Sequence, residues 1–207
     1  MNRSFRQGTA LRLALLVVLC VWVAGCAKSP PTRFYVLNAV GNPEKEPTAT
    51  AGENCVSIGV GPVTVSDYLD RPQIVTRVTP NELKLADFDH WAEPLNQMVS
   101  RVLADNLATV LCTKTVVIFP WKGSVPIDFQ VEVGVIRLDG NVGSDAVLDA
   151  QWMVFSLKDT KKLLVSRKMT FTVPTGGMGY AAMVAAQSRA LAELSREIAK
   201  SLKDSMK

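Results

Sequence analysis

The chain has 207 residues, 48% of them hydrophobic and 20% charged, and a formal net charge of +4. This length and composition predict one globular domain with a substantial core and argue against disorder. The single histidine, His90, excludes a metal site built from two histidines of one chain. No phosphate-binding loop, dinucleotide fingerprint or G-x-S-x-G nucleophile elbow occurs. We therefore expect no catalytic residue and no metal ligand.

The basic excess is concentrated at the N-terminus. Arg3, Arg6 and Arg12 lie in a segment without acidic residues, and removing them from the 23 basic residues leaves 20 against 19 acidic ones. The remaining charges are interspersed and form no basic stripe that could follow a phosphate backbone. We interpret the basicity as a targeting feature, and nucleic acid is not an expected partner.

The targeting segment has the features of a lipoprotein signal peptide. An unbroken apolar run of 11 residues, 13–23, suits a signal-peptide core and is too short to span a bilayer. The run ends in Val23-Ala24-Gly25-Cys26, which resembles a bacterial lipobox. We expect residues 1–25 to be removed and Cys26 to carry a diacylglycerol and an N-acyl chain such as palmitate, with no other cofactor. The alternative is an ordinary secretory signal followed by a chance cysteine.

The residues after Cys26 predict where the domain lies. In Gram-negative lipoproteins an aspartate after the cysteine retains the protein at the inner membrane, and this chain has Ala27. The resemblance to such lipoproteins implies the outer membrane, with the protein anchored by lipid and facing the periplasm. Residues 26–32 form a short polar tether that reaches at most about 20 Å. The folded domain, 33–207, is therefore expected close to the membrane.

Hydrophobic patterning predicts strands in the first half of the domain. Residues 39–54, rich in Gly, Pro, Glu and Thr, predict a loop, and Pro62 predicts a bulge or a sheet edge. Residues 79–81 predict the turn of a hairpin. The predicted strands are 33–38, 56–65, 73–78 and 82–85.

Two helices and a meander are predicted in the remainder. Apolar residues recur at three and four over 91–111 and 180–202, with Asp89 as N-cap and Pro94 in the first turn of the earlier helix. Residues 115–119 predict a short buried strand. Three long strands, 127–138, 147–157 and 163–173, are joined by turns at 139–141 and 158–160.

These elements predict the fold class. We expect a single α/β domain, with a mixed β-sheet that contains a long antiparallel meander and two main amphipathic helices that cover one face.

Two cysteines remain for a disulfide after processing. Cys20 leaves with the signal and Cys26 is used by lipid, so Cys55 and Cys112 are left, 57 residues apart. Cys55 precedes one apolar strand, and Cys112 lies between a helix and another strand. If those strands are parallel neighbours, their starting ends lie together, and the periplasm permits oxidation. Two buried free thiols are the alternative.

Three other segments have a functional and an ordinary interpretation. His90 is expected to be a surface or capping residue, since no triad signature accompanies it. The glycine-rich segment 175–180 is expected to be a strand-to-helix loop, with an anion nest as the alternative. The turn 68–72 mixes aromatic, charged and rigid residues. Tyr68, Asp70 and Arg71 are therefore candidate partner-binding residues, unless the turn only closes the fold.

The ordered motifs resemble the ABC-type transport auxiliary lipoprotein family. The resemblance extends from the lipobox to the last helix, so it covers nearly the whole chain. Its motifs are FYVL at 34–37, YLDRPQIVTR at 68–77, NEL at 81–83, HWAEPL at 90–95 and YAAMVAAQSRALAELSREIA at 180–199.

The resemblance implies a non-enzymatic role and a mixed α/β fold. Members of the family look like outer-membrane partners of MCE-domain systems that move lipids across the periplasm. The implied partners are a periplasmic MCE-domain protein and an inner-membrane transport component, and self-association is left open. The alternatives are a shuttle that binds a lipid in its own pocket and, least supported by the sequence, an envelope hydrolase.

Overall fold

A computed structural model describes residues 29–40, 55–121, 123, 125–158 and 160–206. The predicted signal peptide, Cys26 and most of the predicted loop 39–54 lie outside these residues. Residues 32–207 form one compact unit. In chain order the elements are β1 (Arg33–Tyr35), β2 (Val56–Val65), β3 (Gln73–Thr79), β4 (Glu82–Trp91), α1 (Leu95–Val110), β5 (Thr113–Ile118), β6 (Phe129–Gly140), β7 (Asp145–Ser156), β8 (Lys162–Pro174) and α2 (Tyr180–Ser205).

The larger sheet has five strands in the order β5-β2-β6-β7-β8. Strand β2 runs parallel to both β5 and β6, whereas β6, β7 and β8 form the antiparallel meander. The β2–β6 register shifts between Val60 and Val63, around the exposed Pro62. This irregularity confirms the predicted bulge, because a proline cannot donate a hydrogen bond to the ladder.

Both helices pack on one face of the larger sheet. Along β7 the residues Ala146, Leu148, Ala150, Trp152 and Val154 are fully buried, and those between them are partly or fully exposed. This period of two places one side of the strand against the helices, and α2 contacts β6, β7 and β8. Helix α1 contacts α2, β2 and β5. The core lies between the helix pair and the sheet, and none of the described helices has the length and apolarity needed to cross a bilayer.

The smaller sheet has three strands in the order β1-β4-β3. Strands β3 and β4 form the predicted hairpin, and β1 runs parallel to β4 with Phe34 opposite His90. The predicted α/β class, with one domain, mixed sheets and two main helices, is therefore confirmed, although the strands divide into two sheets instead of one.

Two local predictions around α1 are wrong. The first helix begins at Leu95, not Trp91, because β4 continues to Trp91, and Asp89 is a buried residue of that strand and not an N-cap. Apolar residues such as Trp91 suit either a helix or a strand, and pairing with β1 decides between them. Strand β5 was expected to be buried, but it is an edge strand in which Ile118 is 41% exposed.

Candidate functional site

The predicted lipid attachment site, Cys26, lies outside the described residues. The domain that follows it begins with β1, which is held to β4 by a buried carboxylate. Asp89 accepts a hydrogen bond of 2.7 Å from the Tyr35 hydroxyl and forms an ion pair with Arg33 at 2.8 Å. The hydrogen bond that Arg33 donates to Asp89 raises the pKa of Arg33, and burial together with Asp89 raises the pKa of Tyr35. The first strand after the predicted tether is therefore fixed to the domain by charge as well as by backbone pairing.

The structure joins Cys55 and Cys112 in a disulfide, with their Cα atoms 4.7 Å apart. The parallel strands β2 and β5 begin side by side, with Val56 opposite Thr113. The Val56 N–H also donates to the Cys112 carbonyl at 3.1 Å. The bridge thus ties the start of β2 to the chain that leaves α1, as the strand-start argument expected.

The turn after β2 points its aromatic residue into the molecule. The Tyr68 hydroxyl lies 3.2 Å from Asp139 Oδ2 and 3.4 Å from the Ile136 carbonyl. Asp70 is exposed, and Arg71 is half-buried with its buried Nε atom unpartnered among the described residues. A partner contact through Tyr68, Asp70 and Arg71 stays a prediction, and Asp70 is the member most open to solvent.

Asp139 is the centre of a buried charged group that the sequence did not indicate. Its side chain is 0% exposed. The carboxylate accepts hydrogen bonds from Nε and Nη2 of Arg77, the latter at 2.7 Å, and from Nε of Arg137 at 2.6 Å. Two guanidinium groups and a phenol together satisfy a carboxylate that would be costly to bury alone. We call Tyr68, Arg77, Arg137 and Asp139 the Asp139 cluster.

The Asp139 cluster also affects the protonation of its members. Burial, followed by the negative charge and the hydrogen bond of Asp139, raises the pKa of Tyr68 to about 12. The hydrogen bonds that Arg77 donates to Asp139 raise the pKa of Arg77. The Tyr68 phenol therefore stays neutral and the Arg77 guanidinium stays charged at physiological pH. The cluster joins β3 to β6, and hence the smaller sheet to the larger one.

A β-bulge explains why Asp139 was missed. The sequence predicted a turn at 139–141, but β6 continues to Gly140. The register between β6 and β7 shifts between Val135 and Arg137, after which Leu138 is buried. Because side chains alternate along a strand, this shift turns Arg137 and Asp139 to the other face of the sheet. A short polar run followed by glycine indicates a turn equally well, so the sequence alone could not reveal the bulge.

The other segments singled out in the sequence have ordinary surroundings. His90 is half-buried in β4, with its ring 6.1 Å from that of Phe34. The Thr175 hydroxyl donates to carbonyls of its own neighbourhood, at 2.9 Å to Ser144 and 3.0 Å to Gly177, in the predicted strand-to-helix loop. Within the described part of the chain, no three metal-binding side chains come together.

Surface depressions lie beside the disulfide. One of about 690 Å³ is lined by Lys114, Lys158 and Lys203 together with Asp128, Ser156 and other residues. An adjoining one of about 590 Å³ shares Lys114, Asp128 and Lys158. Both linings combine apolar residues with lysines and Asp128, and an acyl chain bound there would have to desolvate these charged groups.

Sequence comparison identifies the family. The sequence profile of the ABC-type transport auxiliary lipoprotein component family matches residues 35–199, which contain α1, most of α2 and the Asp139 cluster. The chain belongs to the ABC-type transport auxiliary lipoprotein family. The resemblance recognised from the motifs is thereby confirmed.

Relatives of this auxiliary lipoprotein are found among named proteins and solved structures. The chain is 25% identical over 140 residues to the intermembrane transport lipoprotein PqiC of Escherichia coli, covering 68% of this chain and 72% of that protein. The PqiC of Shigella flexneri matches equally well. A crystal structure of an uncharacterized protein matches at a TM-score of 0.67 with 21% identity, covering 84% of this chain and 99% of that one. The structure of protein XCC0632 from Xanthomonas campestris matches at a TM-score of 0.61 with 20% identity, covering 80% of this chain and 92% of that one. These two structures support the fold.

Proposed function

We propose that the protein is a non-enzymatic, lipid-anchored auxiliary component of an MCE-type intermembrane lipid transport system. It is anchored through Cys26 in the outer membrane, faces the periplasm and docks a periplasmic MCE tunnel that arrives from an inner-membrane component. The observation that carries the proposal is the family match over residues 35–199. The similarity to PqiC, named as an intermembrane transport lipoprotein, points to the same process.

The packing of the domain favours an adaptor over a lipid carrier. A carrier needs an apolar pocket of several hundred Å³ that encloses its ligand. The space between the helices and the larger sheet is instead filled by side chains less than 2% exposed, among them Trp152, Ile58, Leu103, Leu107, Leu191 and Leu194. The depressions beside the disulfide are of sufficient volume, but lysines line them. An adaptor needs an accessible surface and no such pocket.

Crosslinking in the envelope tests the docking. We expect affinity-tagged protein, purified after crosslinking of living cells, to carry an MCE-domain protein. The Cys26→Ser variant, which lacks the proposed anchor, should carry much less of it, because anchoring raises the effective concentration of the partners. Recovery of no MCE-domain protein by the parent would contradict the adaptor. Co-purification of about one phospholipid per chain would favour the shuttle instead.

A further inference from the structure

The smaller sheet has an apolar outer face next to the predicted tether. Side chains alternate between the two faces of a strand. Along the first segment Tyr35 and Leu37 point inward, with Leu37 only 1% exposed. The alternating residues Phe34 and Val36 point outward and are 66% and 40% exposed. The face of a sheet that is exposed to water normally carries polar residues.

Strand β4 continues the same face. Asp89 and Trp91 are buried, whereas Phe88 is 37% exposed and His90 is half-buried. Phe34 lies opposite His90 in the β1–β4 register, and their rings meet edge to face. We call Phe34, Val36, Phe88 and His90 the β1 face. Strand β1 is an edge strand, so no further described strand pairs with its outer edge, and the exposure of Phe34 and Val36 shows that the face itself is open among the described residues.

Chain length limits the distance between the β1 face and the proposed anchor. Phe34 follows Cys26 by eight residues. Eight residues span at most about 28 Å when fully extended, and less in any other conformation. An aromatic surface held within this distance of the anchor stays within reach of one apolar phase, namely the bilayer that contains the lipid chains of Cys26. Phenylalanine, like tryptophan and leucine, occurs on the buried face of segments that lie in membrane–water interfaces.

We propose that the β1 face rests on the lipid surface of the anchoring membrane, with Phe34 and Val36 inserted into its interfacial region. This inference depends on the proposed anchoring at Cys26. The weak affinity expected of a few apolar side chains suffices here, because the tether makes the contact intramolecular. The contact would place the smaller sheet nearest the lipid. Strand β3 of that sheet meets the end of β6 at Asp139, whereas the disulfide lies beside the start of β2.

A tryptophan placed on the β1 face reports the contact. The lipidated, full-length mature protein with Phe34→Trp is reconstituted into phosphatidylethanolamine–phosphatidylglycerol vesicles that contain or lack brominated acyl chains. The matched control is Leu163→Trp, because Leu163 is 50% exposed and lies on β8 opposite Phe155, toward the disulfide end of the sheet. Flotation of the vesicles is measured on the same samples, and the unmodified protein gives the background from its own tryptophans.

The expected result is flotation of both variants, with bromine quenching of the added tryptophan at least about twofold stronger for Phe34→Trp than for Leu163→Trp. Equal quenching in floating samples would overturn the lipid contact and leave the anchor intact. A blue-shifted but unquenched Phe34→Trp emission would also overturn it, because a second copy or another protein would then cover the face. Absence of flotation would refute the anchor and the lipid contact with it.

Discussion

Arg77 and Asp139 are 62 positions apart in the chain, and Nη2 of Arg77 lies 2.7 Å from Oδ2 of Asp139. Strand β2 ends opposite Val135, so the last residues of β6 extend beyond it. Tyr68, in the turn that follows β2, and Arg77, in β3, both contact Asp139 in this extension. One carboxylate therefore joins the turn, the hairpin and the meander.

Loss of the Asp139 carboxylate should destabilise the domain strongly. We expect Asp139→Asn to lower the free energy of unfolding by about 3 kcal/mol or more, because two arginines lose the charge that compensates their partial burial. Asp149→Asn is the matched control, since Asp149 is paired at 3.4 Å with an exposed Lys168 and should cost less than about 1 kcal/mol. Urea unfolding of the two variants measures the difference, and equal losses would contradict the role of the cluster.

The raised pKa of Tyr68 predicts a loss of stability at alkaline pH. In the unfolded chain a tyrosine ionises near pH 10, whereas Tyr68 in the folded protein ionises at about 12. The unfolded state therefore binds fewer protons between these values, and stability falls as the pH rises through this window. We expect Tyr68→Phe to flatten the decline between pH 10 and 12, measured as unfolding free energy against pH. An unchanged slope would show that Tyr68 ionises normally in the folded protein.

The disulfide should stabilise the domain by closing a long loop. The bridge spans 57 residues, which corresponds to about 4 kcal/mol in the chain-entropy description. The double variant Cys55→Ala, Cys112→Ala should lose about that much in guanidinium unfolding. Mass spectrometry of non-reduced peptides from exported protein should show the linked pair. Two thiols that alkylate freely in that material would disprove the bridge.

Lipid attachment should depend on one cysteine. Cys26→Ser should remove incorporation of labelled palmitate and leave an uncleaved precursor, because the thiol is the acceptor of the diacylglycerol. Cys20→Ser is the matched control: it lies inside the apolar run and should label like the parent. Equal labelling of Cys26→Ser and the parent would rule out Cys26 as the acceptor.

The exposed part of the turn at 68–72 is the place to test partner binding. Tyr68 is unsuitable, since its substitution disturbs the Asp139 cluster. Asp70→Arg reverses the charge of an exposed residue, and we expect a crosslinking yield with the MCE-domain protein about tenfold below that of the parent. Asp105→Arg, an exposed substitution on α1, should leave the yield unchanged. Similar crosslinking yields for both variants would show that the contact lies on another surface.

The sequence predicted the elements with long periodic patterns and missed those that tertiary contacts determine. Helix α2 and the meander were predicted within a few residues, because each has one strongly apolar face. The end of β4 was assigned to a helix, since Asp89 resembles a cap until Arg33 and Tyr35 are placed beside it. The Asp139 cluster depends on a bulge and on residues up to 71 positions away, which periodicity cannot indicate.

The central position of β2 determines when the larger sheet can form as the chain is made and moved across the membrane. Strand β2 lies between β5 and β6, whose residues follow it by roughly 57 to 71 positions. On the proposed export route, β2 leaves the membrane before either neighbour, and its apolar residues lack their sheet partners until β6 has followed. Helix α2, the last element, then covers the sheet. If the chain is exported as proposed, most of the domain must therefore fold after translocation, and a chain truncated before Tyr180 should be degraded faster than the full chain.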